Sequence, residues 1–338
     1  MSDNSLPIVS GPAPVTPPRA CRSIRRTSTI DTSWPEGRRN PMLQQGRARD
    51  LLTLDDVRHP ALLAEDRFTA RLTPTRQILE ISAIPPRADI VGLVGSRAGG
   101  QLRRGINDAL PQERAQGTPL YLLLDDIAGS SLVAAWAWSH WDPEWREPVS
   151  DAETKALRPT MEGVCIGFRP GSPALIDGVP GPDQNFRHVD SLDVVDDPHG
   201  WHVLTPQQGV SARRARRIDV RIDGGCGRIL IGAHFQDSAP LPSGERVAVH
   251  EYMLEAVADA DSMTLLSIRA DPRILPYDQC PMAILNIGRL AGTPLAELRD
   301  EVLARLARTE GCTHLNDMAR SLAEVPQMAA ALRVALMG

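Results

Sequence analysis

A chain of 338 residues that is 42% hydrophobic and 23% charged has enough apolar content for one large globular unit or two smaller ones. Its net charge of −5 supplies no global field for nucleic acid or an anionic membrane. Five cysteines, odd in number and widely spread, exclude a disulfide framework and fit a cytoplasmic chain with reduced thiols. The longest unbroken apolar run, "SLVAAWAW" (Ser131–Trp138), is far short of the ~20 residues that cross a bilayer.

In chain order, residues 1–20 are Pro-rich, lack periodicity and are expected to form a disordered, dispensable tail. Residues 21–130 read as arginine-flanked strands ("IRRTSTID", "GRARD"), a hairpin strand ("RFTARL"), a third strand ending at Pro85, and two helices separated by a glycine turn. Residues 131–211 form an insert holding Trp136, Trp138, Trp141 and Trp145, with Trp136 and Trp138 alternating as on a strand. A second short strand is expected at "GVCIGF". Residues 212–338 repeat the order of the first unit. "ILEISAIP" (Ile78–Pro85) aligns with "LLSIRADP" (Leu265–Pro272), and "VGSRAGGQL" aligns with "IGRLAGTPL". "IRRTSTID" is set against "RRIDVRID", and Asp50 against Asp237. The fold class expected is α+β, with two similar strand-and-helix halves packed as a pseudo-symmetric duplication.

Lys155 is the only lysine among 37 basic residues, so arginine clusters carry little information by themselves. "ARRARR" (Ala212–Arg217) is taken as a solvated linker leading into the alternating "IDVRID". Near the C-terminus, Thr293 is placed as an N-cap with Pro294 at N1. Leu295, Leu298, Val302, Leu303 and Leu306 share one helical face, and Gly311 is expected to end that helix in a left-handed conformation. The next helix begins near Thr313, and Pro326 opens another.

The candidate chemistry lies in the second half. "GCTHLND" stands where the first half has "GTPLYLLLDD", so the fold as such does not demand Cys312 or His314. Cys280, Cys312 and His314, with His234 or Asp237 as a fourth ligand, have the donor types of a zinc site. Alternatively Cys312, near a helix N-terminus, is a nucleophile with His314 as its base. The bland account makes Cys312 a small buried side chain and His314 a helix-start residue. His250 in "HEY", with "AHFQDS", supplies acid–base candidates on neighbouring strands, where ordinary strand residues would serve as well. Cys165 reads as a buried inert thiol. The tryptophans with His140 read as core or as an aromatic substrate wall. No phosphate loop, nucleotide fingerprint, G-x-S-x-G or H-E-x-x-H motif is present.

"RRTSTID", "GRARDL", "PLYLLLDD", "VCIGF", "RILPYDQCP", "RLAGTPLAELRDEV" and "GCTHLNDMARSL" together resemble a bacterial family known as domain of unknown function 2889, over about Cys21–Val325. The likeness is to its longer, actinobacterial-type members. It implies a cytosolic bacterial protein and no established activity. The expectation for function is an enzyme of hydrolase or lyase type on a small organic acid, aromatic or not, or a thioester; the alternative is a non-catalytic metal- or ligand-binding accessory protein. Zinc is the cofactor considered, and a small molecule is the partner considered.

Overall fold

The computed structural model describes residues 7–145, 161–176, 181–194, 196–223 and 225–337. The fold is mixed α/β, built on one large antiparallel sheet with several helices. The first strands are β1 (Ser23–Ser33), β2 (Met42–Thr53), β3 (Ala61–Leu72) and β4 (Ile78–Ile84). Helices α1 (Leu102–Ala109), α2 (Pro111–Gln116) and α3 (Pro119–Val133) follow. After the two-residue β5 (Arg187–His188) come β6 (Ser211–Asp223), β7 (Arg228–Pro240), β8 (Arg246–Asp259) and β9 (Leu265–Ile274). Helices α4 (Ile284–Ile287), α5 (Leu298–Arg305), α6 (Thr313–Ser321) and α7 (Val325–Met337) complete the chain.

The strand order is β4-β3-β2-β1-β6-β7-β8, with β9 and β5 both pairing with β8. At the centre β1 runs antiparallel to β6, with Arg25 opposite Asp219 and Asp31 opposite Arg213. Both cross-strand pairs close as ion pairs, Arg25 Nε to Asp219 Oδ1 at 2.5 Å and Arg213 Nε to Asp31 Oδ1 at 2.6 Å.

This corrects the reading of Ala212–Arg217 as a solvated linker. The segment lies inside β6, and all four of its arginines are buried. A strand in the middle of a sheet covered on both faces has no solvent side, so its charges must find carboxylates. Arg214 and Arg216 meet Asp237 and Asp126 on the helix face. Arg213 and Arg217 meet Asp31 and Asp219 on the other. Except for Asp219, two residues beyond Arg217, the partners are distant in sequence, and no local pattern announces them.

Two apolar clusters make most of the core. One packs α1 and α3 against β1–β4 through Phe68, Leu93, Ile106 and Leu124; the other packs α5–α7 against β6–β9 through Phe235, Tyr252, Leu298 and Leu322. Pro119–His140 is one helical stretch, long and apolar enough to cross a membrane, but 72% of its most apolar window is buried, as in a core helix. A seam of ion pairs runs where helices from the N- and C-terminal parts of the chain meet the sheet. Asp125 on α3 receives Arg320 at 2.6 Å, Arg103 at 2.9 Å and Arg299 at 3.2 Å. Arg26 on β1 pairs with both Asp50 and Glu324.

The opposite face is covered by irregular chain. His202 lies over β1, its Nδ1 2.9 Å from Thr27 Oγ1 and its Nε2 2.8 Å from Thr29 Oγ1. Residues 7–19, expected within the mobile tail, dock on this face. The Ser10 amide bonds the Pro272 carbonyl, the Ala13 amide donates to Glu251, and Arg19 forms a bidentate pair with Asp197 at 2.9 Å. Proline here favours an extended strap that needs no partner strand, a role its composition does not distinguish from disorder. Deleting residues 1–19 is expected to lower the melting temperature by several degrees, because Asp197 and Glu251 lose buried donors. A midpoint within one degree of the full chain would restore the mobile-tail reading.

Other expectations are corrected locally. Trp136 and Trp138 lie on a 3-10 turn, Ala134–His140, that continues α3, because Ala134, Ala135 and Ala137 around them let the helix run on. "GVCIGF" holds a 3-10 turn at Ile166–Phe168 where a strand was expected. Leu295, Leu298, Val302 and Leu306 are buried as anticipated, whereas Leu303 is 43% exposed. A 3-10 turn at Leu295–Glu297 shifts the phase of the following helix. Gly311 is extended at φ −140°, and the left-handed residue is Arg308. Gly311 is needed for closeness instead, since a Cβ there would stand 2.6 Å from the Leu306 carbonyl.

Candidate metal centre

Alternation on β7 separates two sets of residues that the sequence presents together. Ala233, Phe235 and Asp237 point toward the helices, while His234 and Gln236 point to the strap side and share Glu251 Oε1 at 2.9 and 2.8 Å. His234 therefore lies on the opposite face from Asp237 and cannot join it in one coordination sphere. Directly across from Asp237 on β8 stands His250, immediately before a bulge that shifts the register to Ser238 opposite Ala248. Such a bulge re-aims side chains and is frequent beside functional sites.

His314 enters from the first turn of α6, whose N-cap is Cys312. The rings of His250 and His314 stack at 3.6 Å with 20° between their planes. His250 Nδ1 is 3.5 Å and His314 Nε2 3.6 Å from the same oxygen, Asp237 Oδ2. The donor atoms of Asp237, His250 and His314 all lie within 4.8 Å of one another. The side chain of His314 keeps 13% exposure, and those of Asp237 and His250 keep 5% and 10%.

The charges of the three groups follow from their surroundings. Burial lowers the pKa of His250, against the pull of Asp237. It pushes His314 well below the ordinary histidine range, and the neighbouring His250 adds to the effect. Asp237 is held well below the usual carboxylate range: burial opposes this, but Arg214 outweighs it. Arg214 grips the carboxylate bidentately, Nε to Oδ1 at 2.9 Å and Nη2 to Oδ2 at 3.0 Å. The result is one carboxylate facing two neutral imidazoles.

The sequence candidates are thus regrouped. Asp237, His250 and His314 come together, although His250 was expected only as an acid–base residue and not as a ligand. Cys312 stands on the far side of His314, with Sγ 3.9 Å from Nδ1. Cys280 is not within the 4.8 Å group; it lies instead beside Cys165, across Gly167. As a nucleophile Cys312 is poorly placed: it is 2% exposed, and burial raises its pKa despite the amides of Leu315 and His314. Trp136 is 5% exposed core, and it lines a cavity with Ala212, Arg214 and Asp237 that holds about one water molecule.

Arg214 is the site residue missed at the sequence level. The register of β6 with β7 sets it opposite Asp237, as that of β1 with β2 sets Arg26 opposite Asp50. Sliding "IRRTSTID" four places, onto Ala212–Asp219, is the signal that could have found it.

No curated protein and no solved structure matches the chain. Residues 212–327, the stretch that carries Asp237, His250, Cys280, Cys312 and His314, match the family model described as "Protein of unknown function (DUF2889)".

Proposed function

We propose that Asp237, His250 and His314 bind a divalent metal ion, zinc by donor type, and that the protein acts through it. The convergence of one carboxylate and two neutral imidazoles from three elements within 4.8 Å carries this reading. Three protein ligands with a fourth position open is the composition of a catalytic zinc site. The groups that would hold these ligands in place are also present. Arg214 orients the carboxylate, and Cys312 Sγ with Thr313 Oγ1 faces His314 Nδ1, so that Nε2 can present its lone pair to the metal.

On this reading the protein is an enzyme of hydrolase or lyase type for a small organic acid or thioester. Trp136 supplies an apolar wall beside the site. The alternative, a non-catalytic metal-binding accessory protein, is favoured by the cavity, which admits little more than water before some opening movement. A bacterial, cytoplasmic setting belongs to the same proposal, supported by five unpaired cysteines.

We also propose that residues 21–130 and 212–338 are duplicated halves flanking the 131–211 insert. Arg26–Asp50 and Arg214–Asp237 occupy like places on their strands, and the Arg25–Asp219 and Arg213–Asp31 pairs are reciprocal across the sheet centre.

Purified full-length protein is expected to carry, or to take up, one zinc ion at this site by elemental analysis and calorimetry. Asp237→Asn and His250→Asn should each weaken that binding by roughly 100-fold or more. Unchanged affinity in both variants would refute the site.

A further inference from the structure

Gly129 lies inside α3, where a glycine weakens a helix relative to alanine. Its backbone gives no reason for the residue, since its φ is not in the left-handed region. The reason is one neighbour. A Cβ at position 129 would stand 2.1 Å from Arg214 Nη1, 2.9 Å from Cζ and 3.1 Å from Nη2. Arg214 is the residue that grips Asp237, with Nε to Oδ1 at 2.9 Å and Nη2 to Oδ2 at 3.0 Å.

The end of an arginine side chain normally swings clear of a methyl group. This one is held on several sides. Its side chain is 2% exposed, and the guanidinium lies 5.0 Å from the centre of the Phe235 ring. Nη1 stands 3.5 Å from Asp126 Oδ1 and 3.6 Å from Asp317 Oδ2, and it makes no hydrogen bond among the described residues. Arg26, which pairs with Asp50 on the neighbouring strand, is seated differently: its Nη1 donates to the Gly117 carbonyl at 2.7 Å and to Glu324. Arg214 is placed against α3 by shape, and a close-packed interior offers the displaced group no vacant position. The helix leaves room for it only by omitting a side chain.

We propose that Gly129 is a positioning residue for the Asp237–His250–His314 site, a role that rests on the metal reading above. Its missing side chain lets Arg214 lie against α3 and hold the Asp237 carboxylate toward the two imidazoles. A methyl group at position 129 pushes the guanidinium away from the helix, and the two bonds to Asp237 turn with it. A ligating carboxylate that loses its outer partner binds metal less tightly, by roughly 10- to 100-fold. An element that supplies no ligand thus sets the geometry of one. Ser130, next along α3, lines the water-sized cavity beside Asp237, so the helix borders the site at two successive residues.

The experiment compares full-length Gly129→Ala, Arg214→Lys and the double variant, by urea unfolding without metal and by calorimetry with Zn²⁺. Helix propensity alone predicts that alanine raises the unfolding midpoint. The contact with Arg214 predicts the opposite sign, a lower midpoint. Lysine keeps the charge but lacks the Cζ, Nη1 and Nη2 atoms that meet the methyl group. In the Arg214→Lys background the same alanine should therefore raise the midpoint. The Zn²⁺ affinity of folded Gly129→Ala should fall by roughly 10-fold or more. In the Arg214→Lys background alanine should change it by no more than about twofold. If Gly129→Ala does not fold, the double variant decides: folding there supports the contact, and its failure overturns it. A Gly129→Ala midpoint at or above that of the wild type, or an affinity within about twofold of it, would overturn the proposal. A wild type that takes up no Zn²⁺ would refute the metal reading and the zinc clause with it, while the midpoints still judge the contact between Gly129 and Arg214.

Discussion

Replacing Asp125 by asparagine is expected to cost about 3–5 kcal/mol, because buried guanidinium groups are left without their counter-charge. Arg320 and Arg299 are 1% and 4% exposed, and both donate to this carboxylate. Burial alone would raise the Asp125 pKa; Arg320, Arg103 and Arg299 outweigh it and hold the group well below the usual carboxylate range. Asparagine keeps the shape and removes the charge. For a chain of this size the melting temperature should fall by roughly 4–7 °C. The pair double variant Asp125→Leu/Arg320→Leu should lose less than the sum of its singles, since it leaves fewer charges stranded. A loss below 1 kcal/mol for Asp125→Asn would show that water reaches the seam and screens it.

The second large effect is acid sensitivity set by His202. This ring is 1% exposed, and burial with Arg47 and Arg49 nearby pushes its pKa down to about 3. In the unfolded chain the ordinary value is about 6.5. Between these values the unfolded state binds the proton and the folded state does not, so stability falls as pH falls. The contribution is intact above about pH 6.5 and is progressively lost down to about pH 3. By pH 5 it should be smaller by about 2 kcal/mol. Urea unfolding at pH 7 and pH 5 checks this against His202→Gln, which cannot take up the proton. The wild type should lose about 2 kcal/mol more than the variant over that interval. Equal losses would mean that His202 is solvated or already exchanges its threonine partners for water. His234, His250 and His314, also lowered by burial, add slopes of the same sign in both proteins.

Local pattern was enough to locate much of the framework. The turn-bounded runs at Ile78–Ile84 and Leu265–Ile274 are strands, and α6 starts at Thr313 where a polar residue follows Cys312. The burial of Leu295, Leu298, Val302 and Leu306 follows from their spacing. What these have in common is that the deciding interactions, backbone periodicity and a single apolar face, lie within a few residues.

The candidate site was legible only as residue types. Cys312, His314, His250 and Asp237 were all visible as groups capable of chemistry. Their grouping depended on strand alternation and register: Asp237 and His234 are three positions apart on β7, an odd step that puts them on opposite faces of the sheet. The arginines of Ala212–Arg217 failed for the same reason. A charge run is read as solvated because its partners are assumed to be water. Here Asp31, Asp126, Asp219 and Asp237 come from β1, α3, β6 and β7 to bury it. Composition and short-range spacing thus determined strands and helices with one apolar face, such as Ile78–Ile84 and Leu265–Ile274, but not the buried arginine strand at Ala212–Arg217. Only the tertiary structure decided which charges face each other, because that depends on the register of β1 on β6 and on helices distant in the chain, α3, α5 and α6, closing over one seam.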